Sequence, residues 1–467
     1  MATQPTLVLV SASEAPAKPP RPPFSRRRGA IVISLLVLAL LLTARLALVD
    51  GWLRRVSIDG PSMAPTLCGA SYLVTCDDCG FVFLLDAQQP PPDERAACPN
   101  CGYGANALAG ARLLPPERVL IDRWPLLFRK PGRGDVVAAI QKAPGAVVVK
   151  RVAALAGEHL AIVGGDLYDG PRLLRKTYGE LARVRLLVHD HDYRPAKTAG
   201  LPPRWRGEGT GSRWQAQGGG FVRTEPQPAA KAAALSAIDW LVYEHWSCTG
   251  DPRLRGRPAA VLDLDNYNQG GGPRELNRVP DVQLSCRLRT AGAGELVFRA
   301  RDGAMVFEAS ISRSQVWVTA SGQPVIEAPL EMAILGRTVH VDFGLCDQQV
   351  LLVVEGRTIV REAYPRVGDD AETRAPVLAI GARGLEVQVE RLRVWRDVYY
   401  LDPQGGSQPW KAAATVPPGH VALLGDNAPV SIDARQFDAV GTPLADIRGQ
   451  VYLPFWRREI RARPSAK

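Results

Sequence analysis

The stretch Gly60-Pro61-Ser62-Met63-Ala64-Pro65-Thr66-Leu67 sets a lone serine between turn-forming residues. Pro65 prevents a helix from running through Ser62, so its hydroxyl is expected on a rigid, non-helical corner, a setting suited to an acyl-transfer nucleophile. Such a nucleophile needs a base. Lys150 offers one: it directly follows Val147-Val148-Val149, which reads as a strand after the turn Arg133-Gly134-Asp135. Burial among apolar side chains disfavours an ammonium ion, and a neutral amine takes a proton from a serine hydroxyl near neutral pH without histidine. Taken singly, a serine in a Pro/Gly turn is an ordinary turn residue, and a strand-end lysine ordinarily reaches solvent. The pair gains meaning from a third element, the polar turn Gly425-Asp426-Asn427-Ala428-Pro429-Val430-Ser431-Ile432-Asp433-Ala434-Arg435, which follows the apolar strand Val421-Ala422-Leu423-Leu424.

A second group of chemistry-bearing residues lies between the Ser62 stretch and the Arg-Gly-Asp turn. Cys76-Asp77-Asp78-Cys79-Gly80 and Cys98-Pro99-Asn100-Cys101-Gly102 are paired C-x-x-C-G knuckles. Their spacing suits tetrahedral coordination of Zn²⁺ by Cys76, Cys79, Cys98 and Cys101, each glycine letting the backbone turn toward the sulfurs. Four sulfurs leave no open position for water, so the expected ion is structural and no catalytic cofactor is expected. Thiol-redox chemistry or disulfides are the alternative in an oxidising compartment. Cys68, Cys248, Cys286 and Cys346 show no ligand spacing and read as buried thiols.

The elements that must position these residues are mostly strands. With 467 residues the chain is long enough for several modules, and short alternating runs between Gly/Pro turns predict a mainly β protein. The net charge is +10, but arginine is scattered without aromatic interleaving, so no nucleic-acid partner is expected; an anionic membrane surface explains the excess better than nucleic acid does, and an ordinary solvated basic surface explains it best. Residues 1–28, with Lys18, Arg21 and Arg26-Arg27-Arg28, read as a disordered basic tail. Residues 29–49 are apolar except for Thr43 and Arg45 and predict a single transmembrane helix. The long basic segment and the absence of a convincing small-x-small site favour an uncleaved anchor over a signal peptide. The basic cluster predicts a cytoplasmic N-terminus, with residues 50–467 outside the cytoplasmic (inner) membrane.

With the anchor, the Ser-Met-x-Pro-Thr-Leu box at Ser62, the Arg-Gly-Asp-Val-Val turn at Arg133, the Lys-Arg-Val box at Lys150 and the Gly-Asp-Asn box at Gly425 in this order, the chain resembles the bacterial type I signal peptidases, the S26-type Ser-Lys peptidases. The resemblance covers about residues 30–75, 106–178 and 398–460. It implies that Ser62 is the nucleophile, Lys150 the general base, and Met63 a wall of the substrate pocket. It further implies that Ser431 orients the lysine amine, that Asp433 and Arg435 form a supporting ion pair, and that Asp426 and Asn427 form the turn that places Ser431. The oxyanion would be met by the Ser62 backbone N–H; where some members add a serine hydroxyl, this chain has Gly60. Ala428, Pro429, Val430 and Ala434 also depart from the family pattern. The implied reaction is cleavage of secretory preproteins after small-x-small motifs through an acyl-enzyme, with protein-translocation machinery as a further partner.

Between Leu167-Tyr168-Asp169-Gly170 and Asp397-Val398-Tyr399-Tyr400 the peptidase pattern is interrupted. Val282, Leu284, Cys286 and Leu288 alternate, as do Val339, Val341, Phe343 and Leu345, and Leu385, Val387 and Val389, predicting an antiparallel sandwich or jelly roll that looks laminin-G- or concanavalin-like. Asp263, Asp265, Asn266, Tyr267 and Asn268 form its candidate calcium or glycan loop, although such a stretch is more often only a polar loop, on a domain that shields the active site or contacts a translocation partner. The expected organisation is tail 1–28, helix 29–49, core 50–75, zinc ribbon 76–105, core 106–178, lectin-like β-sandwich 179–397 and core 398–467. The competing reading is a catalytically degenerate peptidase scaffold that displays the sandwich to a glycan or envelope partner. A self-cleaving repressor-type protease is disfavoured by the anchor and by the lack of a DNA-binding module.

Overall fold

The computed structural model describes residues 26–48, 53–141, 146–196, 200–225, 237–330, 332–366, 378–436 and 440–452; the expected tail falls outside them up to residue 25. Residues 1–53 and 54–467 form separate compact units. In the first, the apolar run is a helix, Arg26–Leu48, with Ile31, Ile33, Leu36, Leu40 and Leu41 exposed. Among the described residues no helix is long and apolar enough to cross a membrane. The expected segment 29–49 is helical as far as Leu48.

The second unit is mainly β, as the turn-punctuated sequence predicts. The sheet that carries Lys150 has seven strands in the order Leu53–Ser57, Arg118–Asp122, Ile447–Tyr452, Val136–Ile140, Val147–Ala154, His420–Leu424 and Thr442–Pro443. Val136–Ile140 pairs antiparallel with Val147–Ala154, setting Val137 opposite Lys150. Both faces of this pair are covered. Val136, Ala138 and Val149 pack with Met63, Leu67 and Ile121, while Val137, Ala139 and Val152 pack with Val421, Leu423 and Ile447. Burial on two sides accounts for the unbroken apolar runs in these strands, where a half-exposed strand would alternate.

A three-stranded sheet, Val82–Asp86, Ser71–Thr75 and Arg112–Leu114, carries the cysteine knuckles and therefore extends on both sides of the expected 76–105 ribbon. The short helix Tyr178–Val184 was not expected. Thr177 and Glu180 close a reciprocal capping box at its start, a signature present in the sequence as Thr-x-x-Glu.

The sandwich is organised by two long strands, Val282–Asp302 and Leu378–Arg396, paired antiparallel from Val282 opposite Arg396 to Ala300 opposite Leu378. Each serves two stacks of strands. The first half of Val282–Asp302 pairs with Thr338–Leu345, and its second half with Met305–Ile311. The register shifts between Gly292 and Glu295, where Gly292 has φ +99° and a Cβ on Gly294 would overlap the Arg383 carbonyl, so small residues are required at the bend. The predicted alternating residues all point into one core: Val282, Leu284, Cys286, Leu288, Val339, Val341, Phe343, Leu345, Leu385, Val387 and Val389 are buried. At the junction with the catalytic core, Asp281, Cys346, Asp347 and Asp397 crowd together. Lys176 Nζ lies 2.6 Å from Asp347 and 2.7 Å from Asp397, so a lysine already supplies a cation there.

Phe298 is fully buried in the sandwich with its ring centroid 5.6 Å from that of Phe343. Phe298→Ala removes this contact and opens a cavity, with an expected loss of about 3–5 kcal/mol, read as a lower midpoint in urea unfolding.

Candidate active site

Lys150 lies mid-strand with only 5 % of its surface exposed. Its Nζ donates to Ser431 Oγ at 2.8 Å, and Ser431 Oγ donates to Asp433 Oδ2 at 2.7 Å. Asp433 is closed from behind by Arg435, whose Nε and Nη2 donate at 2.8 and 2.9 Å, and from the side by the Gly425 N–H at 3.0 Å. The remaining Arg435 donors reach the carbonyls of Leu401, Ala428 and Ser431 at 3.0, 3.0 and 3.1 Å. A buried guanidinium is tolerable only when its donors are satisfied in this way. Burial pushes the Lys150 amine down to about 8; Asp433 and Asp426 oppose the shift, and Arg435 reinforces it. An amine at that level is roughly one-tenth neutral at pH 7, where an ordinary lysine is neutral in far less than one part in a hundred.

Arg151, the neighbour of Lys150, donates from Nε and Nη2 to the two oxygens of Asp426 at 2.7 and 2.6 Å, and from Nη1 to the Gly134 carbonyl at 2.8 Å. One side chain therefore joins the lysine strand, the Gly-Asp-Asn box and the Arg-Gly-Asp turn. The sequence supplied Arg151 as part of the Lys-Arg-Val box without giving it a role.

The Ser62 box meets the same polar turn through backbone. Asn427 N–H donates to the Ser62 carbonyl at 3.1 Å, and Asn427 Nδ2 donates to the Pro61 carbonyl at 2.9 Å. Gly425 lies between the two halves: a Cβ there would overlap both Ser431 Oγ and the Ser62 carbonyl, so only glycine lets the boxes close. Met63, at 1 % exposure, is packed against the sheet with Leu67 and Val149. The boxes at Ser62, Lys150, Gly425 and Ser431 are brought to one place, Gly60 stands at the edge of the Ser62 box, half-buried, and no hydrogen bond joins the Ser62 and Lys150 side chains among the described residues. Ala428 is buried in the apolar cluster that includes Leu401 and Leu424.

Cys76, Cys79, Cys98 and Cys101 converge as buried thiols, their sulfurs all within 4.8 Å of one another, with Cys76–Cys101 and Cys79–Cys98 at 3.6 Å. Those separations exceed a disulfide bond, and no disulfide forms among the described residues. They are close to the ~3.8 Å edge of a tetrahedron with ~2.3 Å metal–sulfur bonds. Gly80 and Gly102 take φ +75° and +67°, and their N–H groups donate back to the Cys76 and Cys98 carbonyls, the knuckle geometry expected from the C-x-x-C-G spacing.

The polar loop of the second insertion makes many of its hydrogen bonds within the protein, while half-buried Asp265, Asn266 and Asn268 also line an open cleft. Asp263 is held by Arg274 and Asn277, Asp265 caps the 3-10 helix Asn266–Asn268, Tyr267 is buried, and Asn268 faces Asn427. Much of its polarity serves the interior, a distinction that composition alone does not make.

No curated protein matches the chain. Among solved structures it is similar to a carbohydrate binding module, CBM66 from Bacillus subtilis, at 7 % identity over 41 % of this chain and 94 % of that one, with a TM-score of 0.26. It is also similar to sheep galectin-11 in complex with glycerol (13 %; 24 % and 88 %; 0.19) and to the Caenorhabditis elegans galectin LEC-6 (14 %; 24 % and 81 %; 0.19). Scores this low assign neither fold nor function. The family model for signal peptidase, peptidase S26, matches residues 28–186 and 367–456, more than half of the chain and all of the boxes that build the lysine site, and the protein belongs to that family.

Proposed function

We propose that the protein is a membrane-bound signal peptidase that cuts exported preproteins after small-x-small motifs through an acyl-enzyme on Ser62. The observation that carries this reading is the buried Lys150 amine, hydrogen-bonded to Ser431 and brought down to about 8, within the same cluster whose Asn427 grips the Ser62 backbone. Neutral Lys150 takes the proton of Ser62 as Oγ attacks the scissile carbonyl carbon. The Ser62 backbone N–H donates to the oxyanion; Gly60 supplies no second hydroxyl. As the intermediate collapses, the Lys150 ammonium returns the proton to the leaving amine. Lys150 then deprotonates the water that attacks the acyl ester and frees Ser62. Ser431 fixes the amine throughout, and Asp433 with Arg435 fixes Ser431. Met63 walls a pocket that accepts small side chains.

The four cysteines fit a structural Zn²⁺, which would fold a segment too small for a large core of its own. The helix Arg26–Leu48 would anchor the chain with its basic start in the cytoplasm and the catalytic unit outside, near preproteins leaving the translocation machinery. Exposed Trp124, Leu127 and Phe128 beside Arg123, Arg129 and Lys130 offer a further surface suited to an anionic bilayer.

Cleavage of a preprotein with an Ala-x-Ala site by detergent-solubilised enzyme tests the reading. Ser62→Ala and Lys150→Ala should each lose on the order of 10³-fold or more in kcat/KM, and Lys150→Arg should not rescue, because a guanidinium cannot shed its proton. Equal activity of wild type and Ser62→Ala would overturn the proposal.

The pH dependence follows from the same amine. kcat/KM should rise with pH through an apparent pKa near about 8, as the ammonium becomes the base. The folded chain releases this proton near 8 and the unfolded chain only near 10.5, so the unfolded state binds more protons between those values. Lys150 therefore costs stability in full below pH 8, and the cost is relieved as pH rises toward 10.5. A pH titration of denaturant midpoints, wild type beside Lys150→Met, reads this slope.

Metal analysis of purified protein should find one zinc per chain, lost in Cys98→Ser together with a lower Tm. Zinc-free protein of unchanged Tm would overturn the structural-ion assignment.

A further inference from the structure

We infer that the second insertion is part of the catalytic machinery: its turn at residues 265–269 positions the Ser62 box, with Asn268 acting through Asn427. Asn268 Nδ2 donates to Asn427 Oδ1 at 2.6 Å, and Asn427 Nδ2 donates back to Asn268 Oδ1 at 2.9 Å. Asn427 spends its other side-chain hydrogen on the Pro61 carbonyl and its backbone N–H on the Ser62 carbonyl. The reciprocal amide pair thus fixes the plane of the side chain that holds Pro61, on the residue whose backbone N–H holds Ser62. Asn427 is 1 % exposed and makes its hydrogen bonds with protein groups.

Two neighbours of Asn268 grip other parts of the site. Tyr267 is buried against Ala64 and Cys68, immediately after the nucleophile, and its hydroxyl lies 2.9 Å from Ser71 Oγ. Gln269 makes a two-way bond with the backbone of Ala97, at 2.6 and 2.8 Å, beside the Cys98 knuckle. Three consecutive side chains thus reach the Ser62 box, the Gly-Asp-Asn box and the cysteine ribbon. The turn itself is held on the sandwich side. Asp265 accepts from Tyr267 N–H and Asn268 Nδ2, and Arg396, at the end of the long sandwich strand, donates to the Leu264 carbonyl at 3.0 Å. The path from sandwich to nucleophile is a chain of hydrogen bonds between buried or half-buried groups. Asn268 and Tyr267 touch no reacting atom in this scheme; they are positioning residues.

The inference rests on Ser62 being the nucleophile. Its test measures kcat, KM and Tm for full-length wild type, Asn268→Ala, Asn427→Ala and the double variant on the Ala-x-Ala preprotein. Asn268→Ala should lower kcat by about 10–100-fold, the scale of a small misplacement of a reacting group, with KM within about twofold. The apparent pKa near about 8 should not move, because Lys150 is untouched. The double variant should be no slower than Asn427→Ala alone, since both act through one amide. Wild-type kcat in Asn268→Ala, or losses that multiply in the double variant, would overturn the inference while leaving the Ser62 assignment standing. Failure of wild type to cleave removes the peptidase reading and this inference with it. Should Asn268→Ala lose its fold, Tyr267→Phe carries the test: lowered kcat at wild-type Tm supports positioning by the turn, and unchanged kcat overturns it.

Discussion

The structure depends on keeping one amine out of water without giving it a permanent counter-ion. Desolvation of Lys150 favours the neutral base, but an unpaired carboxylate nearby would hold it as an ammonium. Two carboxylates are nearby, and each is claimed by a guanidinium: Asp433 by Arg435, Asp426 by Arg151. Arg435 opposes the field of Asp433 at Nζ, and burial, the largest influence, decides the outcome. These pairs stabilise less than their short distances suggest, because four charges have been taken from water. Their value lies in electrostatics at the lysine and in fixing Ser431, which a hydrophobic replacement would not provide.

The same requirement shapes the sheet. Val147–Ala154 must be covered on both faces to bury Lys150, so the Ser62 box, with Met63 and Leu67, packs on one face, and His420–Leu424 pairs alongside the strand. That strand then delivers the Gly-Asp-Asn turn directly beside the lysine. Strands far apart in sequence are thereby adjacent in space, which is what lets two large insertions enter the catalytic chain without separating its residues. Both enter at connections between elements of the core, where added chain costs little closure entropy.

Much of the site was legible because its chemistry is carried by short boxes with few alternatives. A Ser-Met-x-Pro box, a lysine after three valines and paired C-x-x-C-G knuckles each constrain the local backbone, and the structure brings each group together. The sandwich was legible for a different reason: period-two alternation in Val282–Asp302, Thr338–Leu345 and Leu378–Arg396 reflects strands whose side chains meet a single core. What escaped was everything set by partners distant in sequence. Arg151 reads as a surface cation until Asp426, 275 residues away, is placed beside it. Asn268 reads as loop polarity until Asn427 faces it across 159 residues. The Thr177–Glu180 capping box was local and was available to be read.

The polar loop at residues 263–268 shows how the same side chains serve two readings. Asp, Asn and Tyr in succession suggest a site that waits for a ligand, because these side chains carry donors and acceptors that must be satisfied. The same need is met as well by another part of the protein, and a loop packed between modules meets much of it that way. Half-buried asparagines paired amide to amide are poor candidates for ligand capture, since a ligand would first have to break two good hydrogen bonds. They are good candidates for transmitting position, because the planar pair tolerates little rotation. Inserted domains are often pictured as cargo attached to a catalytic core. Here the insertion contributes hydrogen bonds around the Ser62 corner, so shape at the corner and integrity of the sandwich are coupled in the fold.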